Sequence, residues 1–442
     1  MNEQMQEAAM LAAFKDQTAA ICGDTERFRK KHARWIVGLE SEVAVFSEDR
    51  TADEIGARRN ALLLQSSGIS CELGALQLEF RTPPIEVGES TRALRRSLEG
   101  AHGVALEAAR GEGLNVLRIG SNPFFPVIGT PRTDAERYRR VPDFQNEHRR
   151  QGIATTLGLN GTRVEIGDAS SVSLFQALHI NLEATSVPDA VDKLNRSLML
   201  SPYLLALSGN SRYLDLTDTG TSDHRVLVWE ISHDTRTHEE LRRGWGLRIG
   251  LPERYFADIG EYFDRIARYP FILYNPEAAL AIGIGLAWLD ARIKFLGDSA
   301  VVELRSLSTQ PTIGEEIDLV LFYLGRLAYS QGNREPLLPI EFVRENRLTA
   351  ILHGLAGKYW CRCQSGELVR RSGCVAVAHE LALAKQGLRV MGHYDAGTLD
   401  NIAGRLLGGS PSDRLATTLK FAAKPTKRQM IDALSKLGML IA

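Results

Sequence analysis

Cysteine is scarce in this chain. Five residues among 442, at positions 22, 71, 361, 363 and 374, are too few and too scattered for a disulfide framework. Cys361 and Cys363 stand one residue apart with Cys374 beyond, but no second cluster at zinc-site spacing exists. Both thiols read as structural, since neither is tied to a recognisable base. An excess of one charge is missing too. Lys plus Arg total 53 against 54 for Asp plus Glu, so no global field recruits nucleic acid or an acidic membrane. Apolar runs such as AALAIGIGLAWL from Ala278 stop short of the ~20 residues a bilayer span needs. The opening MNEQMQEAAMLAAFKDQ carries acids where a secretory signal needs basic residues. A reduced, cytoplasmic setting is the expectation, with neither nucleic acid nor membrane as partner. There is no G-x-x-x-x-G-K-[ST] loop and no G-x-G-x-x-G fingerprint, which excludes a P-loop or dinucleotide-binding enzyme. Internal repeats, low-complexity tracts and linkers rich in Pro, Gly or Ser are absent as well.

What is present is an ordinary globular composition, 44% hydrophobic and 24% charged, long enough for a large core. The expectation is one integrated domain over 1–360, with a helical extension, 361–442, packed on it. Helical periodicity runs from Ser90 or Thr91 to about Arg110 and closes at Gly111 and Gly113. A second helix is predicted from Pro188, with Pro202 kinking or interrupting it. TIGEEIDLVLFYLGRLAYS from Thr312 carries another apolar stripe, and AVAHELALAKQG, DAGTLDNIAGRLL and TKRQMIDALSKLGML read as short helices. Strands lie between these helices without long βαβ alternation. The predicted class is therefore α+β, with a mainly antiparallel sheet.

Four strands share one habit. In WIVGLESEVAVF, Val37, Leu39, Val43 and Val45 take one face while Glu40 and Glu42 share the other. GALQLEFRT sets Leu76, Leu78 and Phe80 against Gln77, Glu79 and Arg81. QALHINLEAT sets Leu178, Ile180 and Leu182 against His179, Asn181 and Glu183. AVVELRSLS sets Val302 and Leu304 against Glu303 and Arg305. Any one of these alone reads as the wet face of an amphipathic strand. Together they hold no Lys, and so many carboxylates on one sheet face repel unless cations sit among them. Carboxylates suit Mg²⁺ or Mn²⁺, and arginines match phosphate oxygens. That combination points to a nucleotide-phosphoryl site.

The same residues carry a resemblance. GLESE (38–42), GALQLEFRTPP (74–84), RIGSNPF (118–124), ALHINLEA (177–184), LALSGNSRYLDLTDTGTSDHRVLVWE (205–230) and VVELRSLSTQPT (301–312) resemble the glutamate–cysteine ligase family in order and spacing. VRENRLTAILHGL (343–355) is a weaker echo. The resemblance implies a glutamine synthetase-like catalytic domain: a curved sheet with a polar concave face and helices on its outer face. It implies Glu40, Glu42, Glu79 and Glu303 as metal ligands holding the phosphates of ATP through Mg²⁺ or Mn²⁺. Arg305 is the arginine on the transferring phosphoryl group, and Arg225 contacts substrate. Asn181 and Glu183 join Glu40, Glu42 and Arg305 around the nucleotide. Gln77, Arg81, Asn210 and Ser211 belong to the substrate pocket.

His179 stands as either the general base or a hydrogen-bonded structural group. His233 and His238 read as surface residues. TDAERYRR (133–140) and NEHRRQG (146–152) read as a solvated helix face, or else as a flap over phosphates. The chain departs from the family at the hybrid H-I-N, at Gly209 and Arg212, and at Ser308, where relatives often carry an acid. The implied reaction is ATP-driven amide formation through an acyl phosphate, with γ-glutamylcysteine as product. Its rivals are the same chemistry with another amine or acid, and a phosphotransferase or silent binding protein on this fold. The expected partners are small-molecule substrates, and a homo-oligomer stays open.

Overall fold

The computed structural model describes residues 3–442 except 33, 66–67, 88–90, 154, 160, 364 and 394–396. Its centre is an antiparallel sheet in which, among the described residues, nine strands take part. The four half-ionisable strands form as predicted, as Ile36–Phe46, Gln77–Arg81, Ala177–Glu183 and Ser299–Ser308. They lie side by side, although up to about 130 residues separate neighbours along the chain (46 to 177). Ser299–Ser308 pairs with Ala177–Glu183, which pairs with Ile36–Phe46, which pairs with Gln77–Arg81. A hairpin partner, Ala291–Leu296, extends one side through Asp298, and Ile69–Ser70 flanks the other.

Alternation sets the layers. Val37, Leu39, Leu78, Phe80, Leu178, Ile180, Leu182, Val302 and Leu304 point to one face and are at most 1% exposed. The helix Val187–Ser208 packs against that face, with Ile313–Gly332 and Ile340–His353 beside it. Caps fix where these helices start. Ser186 Oγ accepts the Asp189 N–H, and Thr312 Oγ1 accepts the Glu315 N–H. Pro202 does not interrupt its helix, which continues to Ser208 with both flanks buried. Tertiary packing along the whole length outweighs the single hydrogen bond that proline forfeits. The helix predicted from Ser90 or Thr91 spans Arg92–Gly111; Ser90 lies outside the described residues, as do Asp395 and Ala396 of the predicted DAGTLDNIAGRLL helix.

The C-terminal segment is woven into the same body. Gly373–Val390 crosses Ile313–Gly332 where Gly387 meets Gly325. A Cβ on Gly387 would fall 1.8 Å from the Gly325 carbonyl oxygen, so the backbones touch only because both residues lack side chains. Leu440–Ile441 pairs with Asn115–Leu117 as part of the main sheet. Residue 360 itself falls inside the strand Lys358–Arg362, which pairs with Leu368–Ser372. No helix of the described residues is long and apolar enough to cross a membrane.

Candidate active site

The register decides which polar side chains meet. Glu40 lies opposite Arg81 on one neighbour and His179 on the other, and Glu42 lies opposite Glu79. Glu303 lies opposite Asn181 and Arg292. Between Leu304 and Leu307 the pairing slips by one residue, a β-bulge at Arg305–Ser306. These side chains floor a cavity of about 430 Å³. Its opposite wall comes from Arg225 at the start of the helix Arg225–Ser232, from Asp290 and Arg347, and from Trp229 and Trp288.

The floor has two electrostatic poles. At one, Glu303 is 1% exposed and shared among three cations. Lys294 Nζ donates to it at 2.8 Å and Arg305 Nη1 at 2.9 Å, and Arg292 Nε also bonds it. Burial opposes its ionisation, yet Arg292, Arg305 and Lys294 hold the carboxyl well below the usual range. At the other pole Glu42, Glu72 and Glu79 bring carboxylate oxygens within 4.8 Å of one another. There burial and mutual repulsion dominate. Glu42 is pushed well above its ordinary value by burial, Glu72 and Glu79, although the Ala177 N–H donates to it at 2.8 Å. Glu79 is raised to about 7 by burial, Glu72 and Glu40, against the pull of Arg81.

Glu40 stands between the poles. Burial pushes its carboxyl up, but a hydrogen bond from His179 (3.3 Å) and Lys294 at 3.6 Å hold it below its ordinary value. His179 is itself held low by burial and Arg305, so it meets Glu40 as a neutral ring. An ionised partner requires the proton on Nδ1, which leaves Nε2 as the ring's acceptor.

Arg225 is buried and fixed from behind. Its Nη2 donates to Ser306 O at 2.6 Å and its Nε to Ser308 Oγ at 3.3 Å. Ser308 Oγ donates to Asp223 Oδ2 at 2.6 Å, and Ser211 Oγ to Asp223 Oδ1 at 2.7 Å. Ser308, the departure from the resembled family, is therefore committed to positioning Arg225. Arg347 is committed as well, to Asp290 through Nε (2.7 Å) and Nη2 (2.8 Å) and to Glu230.

Glu40, Glu42, Gln77, Glu79, Arg81, His179, Arg225, Glu303 and Arg305 all line this one cavity. Asn181 stays out of the lining and donates to Glu40 Oε1 at 3.2 Å. Three further expected residues do not line it either. Glu183 shares the face but sits at the far end of its strand, accepting from Ser299 Oγ at 2.6 Å and paired with Lys30. Ser211 stands one layer behind, through Asp223. Asn210 donates to the carbonyls of Thr309 and Arg118 and holds the loop in place. His233 is buried among Trp229 and Trp288, not on the surface, because aromatic packing absorbs its ring. The basic 133–140 stretch starts the helix Glu136–Glu147, and Arg137, Tyr138 and Val141 face the cavity rather than solvent alone.

Sequence reasoning missed Glu72, Asp290, Arg292, Lys294 and Arg347. Arg292 and Lys294 had a legible signal: ARIKFL alternates, and the Gly297-Asp298 turn folds it onto AVVELR. Glu72 had none, being a loop residue placed by the chain's return into the Gln77–Arg81 strand.

A family model described as glutamate-cysteine ligase family 2 matches residues 36–334. Among curated proteins, a candidate glutamate–cysteine ligase 2-1 of Rubrobacter xylanophilus is 25% identical over 209 residues, which is 46% of this chain and 48% of that protein. A candidate glutamate–cysteine ligase 2-3 of Mycolicibacterium smegmatis is 25% identical over 315 residues, 69% of this chain and 71% of that one. Among solved structures, a bifunctional glutathione synthetase from Pasteurella multocida superposes with a TM-score of 0.57 at 13% identity, over 96% of this chain and 54% of that one. A glutamate–cysteine ligase from Francisella tularensis in complex with AMP gives 0.51 at 12% identity, over 93% and 89%. The chain thus spans about half the length of the first of each set, and the two structures share its fold. With the family model matched across about two-thirds of its length, the chain belongs to glutamate–cysteine ligase family 2.

Proposed function

We propose that the protein is an ATP-dependent carboxylate–amine ligase that forms an amide through an acyl phosphate, with glutamate and cysteine as its substrates. One observation carries this reading. A single cavity sets a carboxylate cluster, Glu42, Glu72 and Glu79, which Arg81 compensates only in part, beside arginines aimed at the same space, Arg225 and Arg305. Phosphoryl transfer asks a protein for positioning and charge neutralisation more than for covalent chemistry.

The carboxylate cluster fits a hard divalent cation. It offers oxygen ligands only, and the raised pKa values of Glu42 and Glu79 mark crowded carboxylates that Arg81, bonded to Glu79, and Arg225 balance only in part. Glu40 and Glu303, which meet at His179, add carboxylate oxygens already partly neutralised by Arg292, Lys294 and Arg305. Mg²⁺ or Mn²⁺ held by these carboxylates would supply charge neutralisation for the phosphates. Arg305, raised on the bulge and kept charged by Glu303, orients the transferring phosphoryl group. Arg225, with Nε and Nη2 tied behind it, presents a preset guanidinium to the substrate carboxylate. Enclosure by Tyr138, Val141 and Trp288 keeps water from the acyl phosphate. His179 Nε2 is the proton acceptor for the attacking amine.

A second reading keeps this chemistry with another amine, and Ser308 favours it. Where relatives often carry an acid, this side chain is used up by Asp223 and Arg225. ADP and phosphate release with Mg²⁺-ATP and glutamate, with and without cysteine and with product masses, separates the two. Turnover needing both amino acids and yielding the mass of γ-glutamylcysteine supports the first. ADP release indifferent to cysteine supports the second, and none across a panel of acids refutes both.

A further inference from the structure

Behind the tryptophan wall lies a second cavity, of about 320 Å³, bordered by Arg248, His233, Arg236, Phe144 and Phe271. Arg248 is 3% exposed and makes one hydrogen bond, from Nη2 to Pro270 O at 3.0 Å. Its Nε and Nη1 are buried and meet no acceptor among the described residues. The rings of Tyr269 and Trp288 flank the guanidinium, at 5.0 and 5.9 Å from their centroids. No carboxylate among the described residues pairs with it.

No nearby acid contacts it. Asp234 binds Arg236 and Arg150, and Glu240 accepts from the Thr237 N–H at 2.7 Å and acts on Arg248 only through space. Glu7 also borders the cavity. His233 adds no positive charge, since burial with Arg248 and Arg149 lowers it to about 3. Its Nε2 has no partner either.

A buried guanidinium with no counter-ion is costly. Water can satisfy its N–H groups but cannot cancel its charge. Among other interior arginines, Arg118, Arg326 and Arg347 each hold a carboxylate, while Arg59 and Arg225 hold none but donate to three and two neutral acceptors. What completes Arg248 therefore comes from outside the chain. A phosphate would bring up to two charges and want several cations. This cavity offers one unpaired cation and aromatic walls.

We infer that the second cavity binds a small organic carboxylate, its anionic group paired with Arg248 and its body against Phe144 and Phe271. Such a ligand sits one layer from the reaction. The Trp288 N–H donates to Arg248 O at 2.8 Å, and the Trp288 side borders both Arg248 and the active cavity. Occupancy of the second cavity is thereby read by the wall of the first.

The test uses the full chain without nucleotide, so it stands apart from the ligase reading. Sodium benzoate is titrated while tryptophan fluorescence and melting temperature are followed. A saturable response is expected, kept in Arg305→Met in the active cavity and weakened at least tenfold in Arg248→Met. Ligand-free R248M should melt no lower than the native protein, because it has lost an unbalanced charge. Should that variant fail to fold, Arg248→Lys keeps the charge with fewer donors and should bind benzoate several-fold more weakly. An unsaturable response, or equal binding in the native protein and the Arg248 variant, overturns the site. An Arg248-dependent response to inorganic phosphate but not benzoate overturns the carboxylate assignment.

Discussion

Replacing Glu79 with Gln tests the electrostatics of the carboxylate cluster directly. Glu79 is 1% exposed, and burial with Glu72 and Glu40 raises it from an ordinary 4.5 to about 7. Between those values the folded chain holds a proton that the unfolded chain has released. Stability contributed by this group is therefore lost as pH rises from about 4.5 through 7, and stays lost above. At about 1.36 kcal/mol per pH unit, the difference is about 3 kcal/mol. For a chain of 442 residues, ~2.1 cal/mol/K of unfolding entropy per residue makes that a melting shift of about 3–4 °C. Gln mimics the protonated acid in size and hydrogen bonding but never ionises. In EDTA the native protein and Glu79→Gln should melt alike at pH 5, and the variant should melt about 3–4 °C higher at pH 8. Paired melting curves at the two pH values read this, because titrating groups outside the cluster cancel between variants and relief of Glu42 in the variant moves the gap in the same direction. If native and variant keep the same gap at both pH values, or if the variant melts lower at pH 8, the cluster is not the crowded charge described.

Other outcomes follow from the same geometry. Added Mg²⁺ should raise the melting temperature of the native protein more at pH 8 than at pH 5, and E79Q should lose most of that gain. Arg305→Lys keeps a cation beside Glu303 but loses the planar fork. Turnover should fall at least about 100-fold with melting nearly unchanged, as steady-state kinetics beside calorimetry would register. Glu303→Gln should also abolish turnover, and it leaves Arg292, Lys294 and Arg305 without their shared counter-charge. A destabilisation of about 3–5 kcal/mol is expected in chemical denaturation. Asp223→Asn should disturb Arg225 through Ser308, raising KM for the acid substrate while Mg²⁺ still raises the melting temperature. Gly387→Ala should destabilise by several kcal/mol, since its Cβ meets the Gly325 carbonyl.

Sequence alone determined the faces. A strand's period of two is local, so WIVGLESEVAVF or AVVELRSLS shows which side chains share a side without any knowledge of neighbours. Helix starts near Pro188 and Thr312 were legible for the same reason, because the signals that open a helix span only a few residues. Eight of the nine expected site residues in the cavity are there because alternation put them on one sheet face, and the family blocks said which strands to group and added Arg225 at a helix start.

Tertiary structure decided the rest. Strand order joins segments far apart in the chain, and only the packed sheet sets Glu303 opposite Asn181. The bulge that lifts Arg305 is a one-residue slip between two strands, invisible in either one. Glu72 belongs to a loop, where no periodicity marks a direction. Glu183 obeyed its alternation and still fell outside the cavity, because a face is longer than a site. Whether a carboxylate is neutralised by Lys294 or left against Glu72 follows from distances across the fold, and that difference sets the acidity of each.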